Sequence, residues 1–147
     1  MSIKYIETIE EVKEIHRKTV EISGGGTLGV LNTSALESAL EFIKDDRFYP
    51  TFEDKLTHLF FVANKSHSFQ DGNKRIAISL GMRFLLDNGY LIAIQRFAFK
   101  MEIVSLHLAA SRIEKELLKE IITSIINEED YSEEIKLKIA NAINDEV

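Results

Sequence analysis

Nine consecutive residues, His67-Ser-Phe-Gln-Asp-Gly-Asn-Lys-Arg75, place an imidazole, a carboxylate, an amide and two cations side by side. Gly72 can take the positive φ that other residues avoid. After it, Ile76, Ala77, Leu80, Phe84 and Leu85 recur at helical spacing, so a helix is expected to begin at Gly72. The first N–H groups of a helix have no internal partner and carry the positive end of its dipole, which makes such a terminus an anion site. Asn73 adds a side-chain donor, Lys74 a point charge and Arg75 a planar fork suited to phosphate oxygens. Asp71 is the only acidic residue in the loop, and a carboxylate beside a polyphosphate fits a Mg²⁺ ligand. His67 precedes it by four residues and has the chemistry of a general base toward a hydroxyl nucleophile. Together they point to phosphoryl or nucleotidyl transfer from a nucleoside triphosphate to a protein hydroxyl, driven mainly by positioning and electrostatics. Taken singly the residues read differently: His67 as a loop histidine, Asp71 as a helix cap, Lys74 and Arg75 as solvated charges, Gly72 as a turn.

These groups need helices on both sides of the loop. Thr51 or a neighbour is expected to start the preceding helix, which runs to about Ser66. Leu56, Leu59, Phe60, Val62 and Ala63 make it apolar almost all round, hence deeply buried. Lys65 at its end could face a nucleotide, although a solvated charge is the plainer reading. The helix after the loop should stop at Asp87-Asn88-Gly89. Residues 7–22 read as a first helix, with His16 at the edge of its apolar face. Ser23-Gly-Gly-Gly26 ends it; no Gly-Lys-Ser/Thr follows, so these glycines read as a connection rather than a phosphate loop. Thr33 or Ser34 caps a second helix to about residue 44. Tyr90-Leu-Ile-Ala-Ile94 is a short β-prone run, expected as an edge strand or extended chain. Helices are expected at 97–110 and 112–127. Past an acidic turn at 128–134, Glu133 to about Ile143 carries a last apolar stripe that must bury against this domain, a second copy or a partner. The expected architecture is all-α, six or seven helices in one domain spanning 1–147.

Composition narrows the class. The chain has 147 residues, 45% of them hydrophobic, and a net charge of −6 from 18 basic and 24 acidic residues. An acidic balance argues against direct nucleic-acid binding, which needs a basic surface. There is no cysteine, so neither a disulfide framework nor a thiolate metal site is available. His58 and His67 lack a third ligand at any recognisable zinc spacing. The first residues do not read as a signal peptide and no apolar run reaches membrane-span length, so a soluble cytoplasmic protein is expected.

The nine-residue loop resembles the signature of the Fic/Doc family, H-P-F-x-[D/E]-G-N-G-R. Ser68 stands where Fic proteins have Pro and Lys74 where they have a second Gly, and both departures resemble the Doc (death-on-curing) toxin branch. Gly24 to Gly29 followed by Leu36-Glu-Ser-Ala-Leu40 is similar to the family's first helical connection, and Tyr49-Pro-Thr51 to its entry into the helix before the motif. The resemblance covers about residues 5–126, with 127–147 as an addition. It implies His67 as base, Asp71 as Mg²⁺ ligand, and Gly72, Asn73, Lys74 and Arg75 around the phosphates of ATP. It also implies a flap that aligns the target segment, with Lys44–Pro50 before the third helix read either as that flap, with Arg47, Phe48 and Tyr49 as candidate contacts, or as an ordinary surface loop. Doc proteins are implied to act as kinases, because a Lys side chain at position 74 fills the space a Gly leaves for one phosphate and reverses the nucleotide. By resemblance the target is translation elongation factor Tu and an antitoxin masks the site. AMP transfer by the same loop is the alternative, and an inactive binding module the second. Ser124-Ile-Ile-Asn-Glu128-Glu129 approaches the inhibitory pattern [S/T]-x-x-x-E-[G/N] of Fic proteins but fails at its last place.

Overall fold

A computed structural model describes residues 2–144. Met1 and residues 145–147 of the expected 1–147 domain lie outside the described residues. The described chain forms seven helices: α1 (Ile9–Ile22), α2 (Ser34–Phe42), α3 (Phe52–Lys65), α4 (Asn73–Asp87), α5 (Leu91–Ala109), α6 (Lys115–Asn127) and α7 (Glu133–Ile143). The described residues hold no strand; one isolated antiparallel bridge joins Val30 to Phe69. The all-α expectation holds.

Local sequence sets the helix starts. The Thr8 hydroxyl accepts from Glu11 N–H at the head of α1, and Ser132 from Ile135 N–H at the head of α7. Thr51 and Asp54 form a reciprocal capping box at the head of α3. α3 is buried on most of its circumference and even takes in Lys55, whose stem packs in the core. Its ammonium donates to Ile43 O at 2.7 Å and Asp46 Oδ1 at 2.6 Å, so the charge is not left unpaired.

α4 lies in the middle, packed on α1, α3 and α5. Gly81 allows α5 to close on it: a Cβ there would stand 2.4 Å from Phe97 Cζ. Gly89, at φ 82°, turns the chain between the two helices. The β-prone run 90–94 is neither strand nor extended chain; Leu91 to Ile94 form the first turn of α5. Ala93 and Phe97 share one buried face, and this tertiary contact overrides the β preference of the run. α7 packs on α6 and has no fully buried residue of its own, so its stripe finds part of its cover within the chain.

Of the two readings of residues 44–50, flap or ordinary surface loop, the packing favours the loop. Loop 43–51 keeps to the N-terminal half of α3, through Lys55–Asp46 and through Tyr49, whose ring centroid lies 4.7 Å from that of His58. The motif follows the other end of α3, about 10 Å beyond His58 at 1.5 Å per residue. The segment that lies along the motif loop is 29–32, just after the glycines. Leu31 N–H donates to Ser68 O at 2.9 Å, and Gln70 N–H to Gly29 O at 2.9 Å.

Candidate active site

α3 delivers the chain to the loop and α4 takes it away. His67 is exposed and sits at φ 50°, a left-handed conformation uncommon outside glycine. Ser68 and Phe69 are buried beside it, so the imidazole is held out by two anchored neighbours. Phe69 is the core anchor its apolar character predicts.

Gly72 ends the turn as the N-cap of α4, at φ 81°, and no side chain caps this helix. Every other helix but α5 has an acidic residue in its first turn, among them Glu10 and Glu11 on α1, Glu53 and Asp54 on α3, and Glu133 and Glu134 on α7. α4 has none there and instead carries Lys74 and Arg75. Two cations at the positive end of a dipole oppose the usual preference and destabilise the bare helix. Lys74 is exposed and its ammonium has no partner among the described residues. The result is a small cluster of cations at the start of one helix, in a chain that is acidic overall.

Asp71 stands at its edge. Its Oδ1 accepts from Gly72 N–H at 2.7 Å, and Arg75 Nη2 lies 3.5 Å away. Its Oδ2 faces Gly26, where a Cβ would come within 2.7 Å. Gly26 itself is at φ 146°. The glycine connection is therefore shaped to pass over the Asp71 carboxylate, a role its reading as a plain connection does not include.

Asn73 is placed differently from a free phosphate donor. Its Oδ1 accepts from Phe69 N–H at 3.2 Å and its Nδ2 donates to Phe69 O at 2.8 Å, so the amide closes the loop on itself. Lys65 neither faces the loop nor projects into solvent. It donates to Leu108 O at 3.0 Å and Ser111 Oγ at 2.7 Å, satisfying the end of α5.

His16, read from the sequence only as a residue at the edge of the α1 apolar face, reaches the motif loop. It lies at the centre of the α1 stripe, between Val12 and Val20, and is buried. Its ring stacks on Phe69 with centroids 3.9 Å apart and planes 10° from parallel. Its Nε2 lies 2.8 Å from Asp71 O, and because a carbonyl only accepts, that nitrogen carries the proton. The signal was the i, i+4 spacing of Val12, His16 and Val20, which puts a donor in the middle of an apolar face. A further contact steadies α4 from behind: Asn64 Nδ2 donates to Ser105 Oγ, which donates to Lys74 O at 2.9 Å.

Among the described residues no three histidines or carboxylates gather to hold a metal by themselves. Asp71 alone, half-exposed beside an anion site, fits Mg²⁺ held jointly by one carboxylate and bound phosphates. The inhibitory-like stretch ends α6, where Arg96 donates to Ile125 O at 2.7 Å. Arg96 and Ser105, the residue beside Lys74, are about 14 Å apart along α5. The stretch therefore stands well away from Arg75.

The loop thus sets an exposed imidazole and a lone carboxylate beside an uncapped helix start that carries two cations. The model of the Fic/DOC family matches residues 6–85, from just before α1 to near the end of α4, and the chain belongs to that family. Its members are typically transferases that modify proteins with nucleotides. No curated protein and no solved structure matches the chain. No helix among the described residues is long and apolar enough to cross a membrane.

Proposed function

We propose that this chain is a Doc-like protein kinase, the toxin of a toxin–antitoxin pair acting in the cytoplasm, which moves the γ-phosphate of ATP to a Ser or Thr hydroxyl of a target protein. The observation that carries the reading is the α4 terminus: two cations in a first turn that no side chain caps. Lys74 supports the kinase form over AMP transfer, since its free ammonium occupies the position where Fic proteins have glycine. By resemblance the target is translation elongation factor Tu, and a separate antitoxin supplies inhibition.

In this mechanism the first N–H groups of α4, Lys74 and Arg75 bind and orient the phosphates. Asp71 would hold Mg²⁺, which when bound neutralises charge developing on the phosphate oxygens. The target chain lies along residues 29–32, beside a groove of about 280 Å³ whose lining includes Glu10, Lys13, Glu14, Arg17, Leu28 and Val30. His67 takes the proton from the target hydroxyl. The hydroxyl oxygen bonds to the γ-phosphorus as the bridge to the β-phosphate breaks, and ADP leaves.

The test uses two labels. The chain is incubated with a bacterial lysate and Mg²⁺, once with γ-labelled and once with α-labelled ATP. The proposal expects a protein band labelled from the γ form alone, and no band with the His67→Ala variant, which keeps nucleotide binding. Label from the α form means AMP transfer and overturns the inference from Lys74. No label and no Mg²⁺-dependent ATP binding means an inactive module.

A further inference from the structure

Two buried polar side chains stand behind the start of α4. Asn64, in the last turn of α3, and Ser105, in α5, are each 1% exposed. Asn64 Nδ2 donates to Ser105 O at 3.0 Å and to Ser105 Oγ at 2.8 Å. Both of its protons are thereby used, and a reversed amide would set Oδ1 against the Ser105 carbonyl, so the amide has one orientation. Ser105 Oγ accepts from Asn64 and gives its single proton to Lys74 O at 2.9 Å. The relay runs one way, from α3 through α5 to α4.

Its far end is a particular peptide. Lys74 O and Arg75 N–H belong to one planar trans unit and point in opposite directions. Fixing the oxygen from behind therefore fixes the direction of the amide in front. That amide is one of those the helix leaves without an internal partner: Asp71 Oδ1 takes Gly72 N–H, and the first helical bond runs from Ile76 N–H to Gly72 O. The hydroxyl on Lys74 O also polarises the unit and makes Arg75 N–H a stronger donor to an anion.

Stability alone does not account for Asn64. Its Oδ1 is buried with no hydrogen-bond partner among the described residues, at a cost that a leucine of similar size would avoid. Without Asn64, the Ser105 hydroxyl would be free to turn back on the carbonyl of Met101, one turn earlier, as serines inside helices do.

We propose that Ser105, aimed by Asn64, is a positioning residue for phosphate binding: it holds the 74–75 peptide so that the Arg75 amide, and not only its guanidinium, meets the anion. This role rests on the reading of the α4 start as a phosphate site.

The test uses inorganic pyrophosphate with Mg²⁺ as its probe, so that neither a transfer reaction nor a target is needed. Calorimetry gives the affinity, and nitrogen–proton NMR follows the Arg75 amide. In the parent chain that amide moves downfield as pyrophosphate binds. Ser105→Ala and Asn64→Leu each bind about tenfold more weakly, the scale of one hydrogen bond to a charged group. In both, the Arg75 amide lies upfield of its parent position before any ligand is added. Ser105→Thr, which keeps the hydroxyl, restores affinity and amide together. Val104→Ala opens a cavity at the neighbouring buried position of α5; it lowers the urea midpoint but leaves affinity and amide unchanged. Parent affinity in Ser105→Ala overturns the positioning role while leaving the phosphate site standing. An equal loss of affinity in Val104→Ala overturns it too, by assigning the effect to the packing of α5. A parent chain that binds no pyrophosphate overturns the phosphate reading itself, and the role of Ser105 with it.

Discussion

Replacing Gly26 by alanine separates two effects that the glycine connection combines. Gly24 and Gly26 both sit at positive φ, 93° and 146°, where an L side chain is strained by about 1–3 kcal/mol. A Cβ on Gly24 would meet nothing within 4 Å. A Cβ on Gly26 would meet Asp71 Oδ2 at 2.7 Å and Val20 Cγ1 at 3.2 Å. Gly24→Ala therefore carries strain alone, whereas Gly26→Ala also pushes the carboxylate out of its place. A lost charge-assisted contact is worth about 1.5–3 kcal/mol, so Mg²⁺-dependent ATP affinity should fall roughly tenfold to a hundredfold in Gly26→Ala. Gly24→Ala should bind as the parent does. Urea denaturation measures the strain and titration calorimetry the affinity, with and without Mg²⁺. Wild-type affinity in Gly26→Ala would refute the reasoning, because it would mean that the placement of Asp71 does not matter to the nucleotide. Equal losses in both variants would assign the effect to the loop alone.

His16→Phe should keep the stack on Phe69 and remove the donor to Asp71 O. Turnover is expected to fall roughly tenfold to a hundredfold, as for small misplacements of a reacting group, with ATP affinity changed far less; initial rates against ATP concentration check this split. Gly81→Ala overpacks the α4–α5 contact against Phe97 and should cost about 1–3 kcal/mol, read as a thermal midpoint lower by several degrees. Stability should also fall in mild acid. Burial, and then the charge of Lys115, hold the His58 imidazole down at about 4. The unfolded chain takes up this proton near pH 6.5 and the folded chain only near 4, so stability declines as pH drops through that window and levels below it. Allowing for the ring's partial exposure the loss is about 1–2 kcal/mol. His58→Gln should flatten that part of a urea-midpoint profile, and an unaltered slope would remove His58 as its source.

Much of the fold was legible because apolar spacing and caps agreed. Thr51 with Asp54, and the stripe of α1, each pointed one way. Tyr90 to Ile94 misled because β-branched and aromatic residues also suit a buried helix turn, and only the contact with α4 decides. The loop 67–75 declared its chemistry through residue types, and those side chains do cluster at one helix start. The amide of Asn73 was readable as a donor but not as a clasp on Phe69, because its partner is backbone, which sequence does not display. His16, Gly26 and the pairing of 29–32 with 68–70 depend on contacts across some forty to fifty-five residues, and spacing within one helix or loop carries no such information.

That pairing ties together two stretches far apart in the chain. The amides of Leu31 and Gln70 are hydrogen-bonded across the same narrow seam. Their exchange with solvent should be correlated, each opening of one releasing the other. A protease that cuts between the exposed glycines 24 and 25 would therefore act at a distance. It would leave His67, Asp71 and Arg75 chemically intact and the core helices folded, yet free the edge on which the motif loop is supported. Silencing by a single nick more than forty residues from the imidazole is a vulnerability that follows from building one loop against another.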